Sequence, residues 1–407
     1  MEAIRIVVVG CGMRAVWGIA AILKEPRFQL VGLVDSIVSK AQLQAEHFGI
    51  SGRVSVFANL HDCQRSLQYD AAAVFTPDGT HADVVIPELE AGHWVFVEKP
   101  LDVTADRLAA MIAADDAAGG RTFVGLNLRF APLYQAIAGI IRQGVIGKLL
   151  TIQADEFYDG GRTYFRRWNR FRQFSGGLWI TKSCHDFDLI YMLAGRSPRT
   201  VAALCALSHY LPRKDASDYC GDCGVRSSCA DRHEPHPVPD SLIARLRDAT
   251  AAATGHRADL CLFNSDKDTF DHGSAIVEFE DGLIASYTVN VVAGFTNRRI
   301  RLSGTAATVD GDLTSNEIVI QYRDPSRVER IQLTDNASSH GGADEHVMAA
   351  FADFIGSDRS NAVTPAEAAV SVRIALAAQE SCDTNSIVPV SSGTGTKRQA
   401  SLAAVAV

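Results

Sequence analysis

The sequence predicts an α/β protein with an N-terminal doubly wound parallel sheet and a C-terminal α+β domain that contains a large, mostly antiparallel open sheet. Three observations lead to this class. Apolar strands alternate with helical patterns in the first third of the chain, a glycine-rich turn follows the first strand, and hairpins dominate the second part. We place the first domain at 1–128, the second at 129–390 and a loose tail at 391–407.

The first domain has six predicted strands, separated by helical patterns such as Ala82–Ala91 and Ala105–Ala118. The strands are Ile4–Val9, Gln29–Val34, Val54–Phe57, Ala71–Phe75, Trp94–Val97 and Thr122–Gly125. Apolar strands that alternate with helices are typical of a parallel sheet with helices on both faces.

The second domain is predicted to begin with a long strand and a helix, and to continue with strands around a loop-rich insertion at about 211–255. The strands are Leu149–Tyr158, Val201–His209, Asp259–Phe263, Ser274–Phe279, Ile284–Val291, Arg299–Ser303, Glu317–Tyr322 and Glu329–Leu333. The helices are Leu178–Leu193, Glu345–Ile355 and Pro365–Glu380. The sheet would leave one face open for an oligomer interface.

Composition narrows the class of protein. The chain has 407 residues, 47% of them hydrophobic and 21% charged, with a net charge of −8. These values are typical of a soluble globular protein and predict neither a nucleic-acid nor a membrane partner. The start of the chain lacks the pattern of a signal peptide, so we expect a cytoplasmic location, where the nine cysteines would be thiols or metal ligands.

The turn after the first strand carries the strongest motif. Residues 10–15 form Gly-x-Gly-x-x-Ala between an apolar strand and an amphipathic helix, and the second strand ends at Asp35. Gly10 permits the tight turn, Gly12 lets the backbone approach a pyrophosphate, and the small Ala15 permits close helix–strand packing. The sequence therefore predicts a Rossmann domain that binds a dinucleotide.

The acid at the end of the second strand favours NAD over NADP. The Asp35 carboxylate can accept hydrogen bonds from both ribose hydroxyls and would repel a 2′-phosphate. No arginine follows it at positions 36–38.

Four further segments carry candidate site residues: 75–81, 97–100 and 124–130, which follow strands four, five and six, and 176–188, which opens a helix of the second domain. In an open α/β sheet, ligands bind at the carboxyl ends of the strands. We therefore expect the first three segments to border one site.

With these motifs, the chain resembles the Gfo/Idh/MocA family of NAD(P)-dependent oxidoreductases from about Ile4 to Val390. In that family the lysine of the Glu-Lys-Pro motif, here Lys99, lies beside the nicotinamide and the reacting hydroxyl. The active-site histidine matches His185, three residues before Asp188. The resemblance also implies a homodimer or homotetramer formed through the open sheet.

The resemblance extends to the cofactor site, where the threonine–proline–x–x–x–histidine loop lines the dinucleotide. The residues expected to contact the cofactor are Gly10, Cys11, Gly12, Met13, Arg14, Asp35, Ser36, Thr76, Pro77, Asp78, His81, Glu98, Lys99 and Asn127.

One position departs from the family pattern. Many members carry an aspartate four residues before the histidine, where this chain has Thr181 followed by Lys182. The chain resembles a subgroup with a Lys-x-x-His pattern and a cysteine-rich insert, in which a lysine would replace the acid.

The residues fit alcohol oxidation. Removal of a hydride from a secondary alcohol requires a base on the hydroxyl, and a lysine can serve when burial and a neighbouring positive charge favour its neutral form. We predict Lys99, His185 and Lys182 as catalytic residues. The alternatives are a solvated lysine at 99, a core histidine bonded to Asp188 or the backbone, and a surface or ion-paired lysine at 182.

A basic, aromatic segment runs from Tyr158 to Lys182 and predicts a sugar-like substrate that carries an anionic group, since arginine forks bind carboxylate, phosphate or sulfonate. The predicted substrate residues are Arg129, Tyr158, Tyr164, Arg166, Arg167, Trp168, Thr181, Lys182 and His185. The alternative is a structural arginine cluster paired with carboxylates at a subunit interface.

Cysteines in the insertion follow a C-x2-C-x5-C pattern that suits a tetrahedral metal ion. The ligands would be Cys220, Cys223 and Cys229, with Cys261 preferred as the fourth over His233 or His236. Structural zinc is favoured over an iron–sulfur cluster, and free thiols in a loop are the alternative.

The sequence thus predicts an NAD-dependent oxidoreductase that acts on a secondary hydroxyl of a sugar or cyclitol. A redox glycosidase is the alternative: oxidation at C3, elimination with Tyr158 or Tyr164 as the base, water addition and re-reduction would cleave a glycoside on retained NAD. A third hypothesis is a dinucleotide-sensing regulator without activity, against which the intact Lys99 and His185 argue.

Overall fold

The computed structural model describes residues 3–333, 344–360 and 362–391, so the predicted tail lies, from residue 392 onward, outside the described residues. Its first sheet has six parallel strands in the order β3-β2-β1-β4-β5-β6. The strands are β1 Ile4–Val9, β2 Phe28–Val34, β3 Ser55–Phe57, β4 Ala71–Val74, β5 Trp94–Glu98 and β6 Thr122–Gly125. The predicted doubly wound parallel sheet is confirmed.

Helices cover both faces of this sheet. They are α1 Met13–Lys24, α2 Val38–His47, α3 Leu60–Ser66, α4 His81–Glu90 and α5 Ala105–Ala117. A sixth helix, α12 Asp344–Ile355, comes from the far end of the chain. Its Phe351 is fully buried and packs 5.8 Å from the ring of Phe28. The C-terminal part of the chain therefore completes the core of the first domain.

The second sheet is nine-stranded and mixed, in the order β14-β13-β12-β11-β7-β10-β9-β8-β15. The strands are β7 Leu149–Phe157, β8 Pro198–Ala206, β9 His272–Phe279, β10 Ile284–Asn290, β11 Asn297–Gly304, β12 Ala307–Asp312, β13 Glu317–Tyr322, β14 Arg327–Gln332 and β15 Val388–Pro389. Every pairing is antiparallel except that of β7 with β10. The predicted, mostly antiparallel sheet is confirmed.

The helices of the second domain are α6 Pro132–Arg142, α7 Gly161–Tyr164, α8 Arg172–Ser175, α9 Leu178–Thr181, α10 Cys184–Ala194, α11 Leu242–Thr254 and α13 Pro365–Thr384. Helices α6, α10 and α13 pack against the nine-stranded sheet, whereas α11 packs against α2 of the first domain. α13 begins with a capping box between Thr364 and Glu367, with Pro365 in its first turn. On the opposite face, Leu204 and Ile276 are 72% and 53% exposed.

Local structure differs from the sequence prediction at several points. The predicted strand Asp259–Phe263 is wrong, because this segment forms turns and only a single bridge joins Leu260 to Tyr219. The predicted helix Leu178–Leu193 is wrong in its continuity, because the chain breaks between α9 and α10.

Several elements were not predicted, among them α6, β15, β12 and α11. Strand β12 contains Asp310, Gly311 and Asp312, residue types typical of a turn, yet it pairs on both sides. Helix α11 lies inside the insertion, where the side chain of Ser241 accepts from the Ala244 amide and caps the helix. None of the helices in the described ranges is long and apolar enough to cross a membrane.

Candidate active site

The glycine turn between β1 and α1 has room for a phosphate group. Gly10 has φ +90°, and a Cβ there would meet the Phe75 carbonyl carbon at 2.7 Å, so the position requires glycine. A Cβ on Gly12 would meet no heavy atom within 4 Å. α1 begins at Met13 without a side-chain cap, which leaves amides of its first turn for an anion. The turn therefore fits a dinucleotide pyrophosphate.

The acid at the end of β2 is held by its neighbours. The buried Asp35 carboxylate accepts from the amides of Cys11 and Ile37, each at 2.8 Å. The Lys40 ammonium donates to it at 2.9 Å, a partner that the sequence analysis missed. Ser36 beside it is exposed. The carboxylate is thus fixed at the strand end where a ribose would bind, with part of its charge neutralised.

His81 joins two of the predicted loops. Its ring is fully buried, with Nδ1 2.8 Å from the Pro100 carbonyl oxygen and Nε2 3.1 Å from that of Thr76. The loop after β4 is thereby tied to the loop after β5. His81 was predicted to line the cofactor. In the structure both of its ring nitrogens are instead occupied by backbone carbonyls.

Lys99 reaches from the first domain to the second. Its Nζ donates to the Thr181 carbonyl at 3.0 Å, at the end of α9. Its amide donates to Glu98 Oε2 at 3.2 Å, and Arg14 Nε donates to the other carboxylate oxygen at 2.6 Å. The structure therefore brings together four residues that were predicted separately for cofactor, base and substrate.

Asp78 lies beside this junction and is only 9% exposed. Burial raises the pKa of its carboxyl to about 6, although the nearby Lys99 charge and a hydrogen bond with the Thr181 hydroxyl oppose the shift. An acidic group thus lies next to the Lys99–Thr181 contact.

Lys182 is an ion-paired lysine rather than a surface one. Its Nζ lies 2.8 Å from Glu156 Oε1 and 4.1 Å from the centre of the Tyr158 ring. Burial lowers the pKa of Lys182, against the opposing effect of Glu156. Arg298 Nη2 lies 2.8 Å from the same Glu156 oxygen.

The sequence analysis missed both Glu156 and Arg298, which lie on β7 and β11 outside any motif. Both strands carry several other polar residues, so the sequence gives no signal that these two charges are the buried ones. The attraction of Arg298 and Lys182 outweighs the effect of burial and lowers the pKa of Glu156.

His185 lies in the first turn of α10 and is 4% exposed. The carboxylate of Asp188, one of the partners that the alternative interpretation gave to His185, is bound from another segment. Arg129 holds that carboxylate through two hydrogen bonds, Nη2 to Oδ1 at 2.6 Å and Nε to Oδ2 at 2.7 Å. Arg129, predicted to bind substrate, thus anchors α10 to the segment after β6. Asn127 in that segment is buried.

The arginines of the basic segment separate in space. Arg166 is buried and donates to the carbonyls of Leu260 and Arg162 at 3.0 Å, and to that of Asp231 at 2.6 Å, beside the cysteine-rich insertion. Arg167 instead extends toward the first domain, with Nη2 3.7 Å from Met13 Sδ.

The aromatic residues of the segment stay closer together. The Tyr158 and Tyr164 rings meet edge to face at 6.4 Å, and burial raises the pKa of both phenols. Trp168 is half-buried in a short helical turn, and the next residue, Asn169, donates to the Thr181 hydroxyl at 3.4 Å.

Cys220, Cys223, Cys229 and Cys261 line one small cavity, whereas His233 and His236 are not among its lining residues. In the ranges described, no group of three or more His, Cys, Asp or Glu side chains has an arrangement that would hold a metal ion. Cys220 Sγ accepts from the His233 amide at 3.3 Å. The predicted cysteines are thus neighbours, but the metal site itself is not formed.

Two family models match the chain. Residues 4–126 match the model described as an oxidoreductase family, NAD-binding Rossmann fold. Residues 139–391 match the one described as an oxidoreductase family, C-terminal alpha/beta domain.

Individual proteins are also similar. A Bacillus subtilis protein designated as an oxidoreductase, YteT, is 28% identical over 352 residues, which are 78% of this chain and 80% of that protein. The inositol 2-dehydrogenase of Rhizobium meliloti is 30% identical over 193 residues, 47% of this chain and 55% of that enzyme. The WlbA dehydrogenase of Bordetella pertussis, solved with NADH and UDP-GlcNAcA, has the same fold, with a TM-score of 0.70 at 20% identity; the alignment covers 96% of this chain and 100% of that one.

Asp78→Asn should stabilise the protein without added cofactor at pH 7.5 more than at pH 4. The folded-state pKa of about 6 lies above the unfolded value of 3.8, so the ionised carboxyl opposes folding increasingly as pH rises through this window. The gain at pH 7.5 should be on the order of 1–3 kcal/mol. Urea unfolding at both pH values measures it, with the exposed Asp240→Asn as control. Equal effects of Asp78→Asn at both pH values would contradict the prediction.

Proposed function

The chain belongs to the Gfo/Idh/MocA family of oxidoreductases, and we propose that it oxidises a secondary hydroxyl of a cyclitol or sugar with NAD. The resemblance stated from the motifs is therefore confirmed. The observation that carries the proposal is the contact of Lys99 Nζ with the Thr181 carbonyl, four residues before the buried His185. The inositol dehydrogenase relative supports a cyclitol-like substrate.

The reaction requires a hydride acceptor and a base. NAD held at the glycine turn and Asp35 would supply the hydride acceptor. Lys99 Nζ, in its neutral form, would take the proton of the substrate hydroxyl while the hydride passes from the carbon that bears this hydroxyl to NAD, which leaves a ketone and NADH. The Thr181 carbonyl holds the lysine nitrogen at the domain junction, and His185, four residues later in the chain, would receive or relay the proton.

The preference for NAD over NADP is part of this proposal. Two backbone amides fix the Asp35 carboxylate at the strand end, where it would meet a 2′-phosphate. The Lys40 ion pair offsets part of that repulsion. We therefore expect a smaller preference than an unpaired aspartate would give.

We do not propose an anionic group on the substrate. Arg166 is committed to backbone carbonyls and Arg129 to Asp188, so two of the arginines predicted to bind it have other partners. The redox glycosidase is the second candidate, because burial raises the pKa of Tyr158 and Tyr164, so that less of each phenol is ionised and able to accept a proton at neutral pH.

Lys99→Met should reduce turnover about a thousandfold or more, since a general base in the transition state contributes about 10²–10⁴-fold. NADH formation at 340 nm with myo-inositol and a sugar panel measures turnover, and fluorescence titration measures NADH binding, which should remain. Wild-type protein that releases aglycone from a glycoside on catalytic NAD would favour the glycosidase. Full turnover of Lys99→Met would refute the role of the lysine.

We also propose that Cys220, Cys223, Cys229 and Cys261 bind one structural zinc ion. Their shared cavity supports this, because four thiolates are the donor set of a closed tetrahedral zinc site. Purified protein should contain about one zinc per chain, and Cys223→Ser should lower the zinc content and the melting temperature. Cys63→Ser, at a buried cysteine outside the cavity, is the control for metal content. Metal-free protein with four freely alkylated thiols would exclude the site.

The open sheet face is the proposed oligomer interface. Leu204, Ile276 and Ile284 expose apolar side chains on adjacent strands of it. The combined Leu204→Glu and Ile276→Glu variant should therefore shift a dimer or tetramer toward monomer in light scattering. Leu23→Glu, at a comparably exposed residue of α1, should leave the mass unchanged. An unchanged mass of the double variant would refute the interface.

A further inference from the structure

We propose that Arg167 and Arg247, both from the second domain, form an anion clamp that holds the cofactor pyrophosphate against the glycine turn of the first domain. The clamp rests on the proposed function, since it requires a dinucleotide. It reassigns Arg167, which the sequence predicted to bind substrate.

The first observation is the position of Arg167. Its Nη2 lies 3.7 Å from the sulfur of Met13, the first residue of α1. This helix start has no side-chain cap, and the space next to Gly12 is open. A guanidinium from the other domain therefore stands where helix amides and an open glycine already favour an anion.

The second observation is the charge balance. Two other arginines of the same segment have carboxylate partners: Arg162 pairs with Asp231 at 3.0 Å and Arg172 with Asp383 at 2.6 Å. Arg166 and Arg170 donate to backbone carbonyls. Among the residues described, neither Arg167 nor Arg247 forms an ion pair with a carboxylate.

Burial lowers the pKa of Arg167 to about 10, and repulsion by Arg247 adds to the effect. Two neighbouring guanidinium groups without an acid, one of them largely removed from water, are stabilised by an anion between them. The lack of carboxylate partners among the described residues and the position of Arg167 at Met13 thus both indicate an anionic ligand.

The third observation is the contact of the helix that carries Arg247 with the first domain. This helix, α11, packs against α2 of the first domain, and Arg245 on α11 pairs with Glu46 on α2 at 2.7 Å. Gln44 on α2 in turn donates to the Gly12 carbonyl at 3.1 Å. Helix α2 thus contacts both the insertion helix and the glycine turn.

The ligand is assigned to the cofactor because the Arg167 contact is at Met13, whereas the hydroxyl chemistry is placed at Lys99. A carboxylate or phosphate of the substrate has the same chemistry as a pyrophosphate, so the test must separate the two. A clamp supplied by the second domain would have to loosen before the dinucleotide leaves, and it should therefore slow cofactor release.

The test measures NADH affinity and dissociation rate in Arg167→Gln, Arg247→Gln and the double variant. Each single change should weaken NADH binding about tenfold and speed its release, and the double variant should bind weakest. Inorganic pyrophosphate should displace NADH from the wild type, and the double variant should have lost most of its affinity for pyrophosphate itself. Arg172→Gln is the matched control and should change NADH affinity less than twofold.

Lysine variants distinguish the loss of positive charge from a disturbance of the local structure. Arg167→Lys and Arg247→Lys keep the positive charge and should recover most of the NADH affinity. Unchanged NADH affinity in both glutamine variants, with a raised KM for glucuronate, would overturn the clamp and assign the anion to the substrate. Wild-type protein that binds no NADH would instead refute the proposed function. Loss of affinity that lysine does not restore would point to a structural role and also overturn the clamp.

Discussion

The ion pair between Arg298 and Glu156 is the interaction on which the geometry of the second half of the site depends. Arg298 also binds Asp186 of α10 at 3.0 Å, and Glu156 also binds Lys182 in the link between α9 and α10. Two cations and two carboxyl groups are thus buried together, and burial raises the pKa of Asp186 to about 7. Removal of one partner would leave an uncompensated charge. Because the network joins β7 and β11 to the start of α10, it fixes the backbone that presents Thr181 and His185.

The break between α9 and α10 follows from this constraint. In a continuous helix the direction of the Lys182 side chain would be set by the helical repeat. Because the chain breaks here, Lys182 reaches Glu156 and the Thr181 carbonyl faces Lys99. The Thr181 carbonyl accepts from Lys99 because the helix ends there and leaves a terminal oxygen without a partner in the helix. Where many family members have an acid, this chain therefore has Thr181 at a helix end, followed by Lys182 in a buried ion pair.

Sequence patterns were sufficient where the signal is local. The glycine turn, the Glu-Lys-Pro motif and the alternating strands each combine a periodicity with fixed residue types, and the structure has the strands where they were predicted. Glu156, Arg298, Arg247 and Lys40 could not be predicted, because their roles depend on pairing between segments far apart in the chain or on side-chain direction. The segment 259–263 was mistaken for a strand because its apolar residues enter the core through turns, which hydrophobic periodicity does not distinguish.

The basic segment shows most clearly why composition alone does not assign a ligand. Its arginines are chemically identical, yet Arg166 is used by carbonyls and Arg172 by Asp383, and only Arg167 points to the glycine turn without an acid. The counter-charges Asp231 and Asp383 come from the insertion and from α13, which no local pattern joins to the segment. A cluster of positive charges in a sequence indicates an anionic ligand only for those arginines that have no partner within the folded protein. Here Arg167 lies at the domain junction, where it would act on cofactor retention rather than on substrate choice.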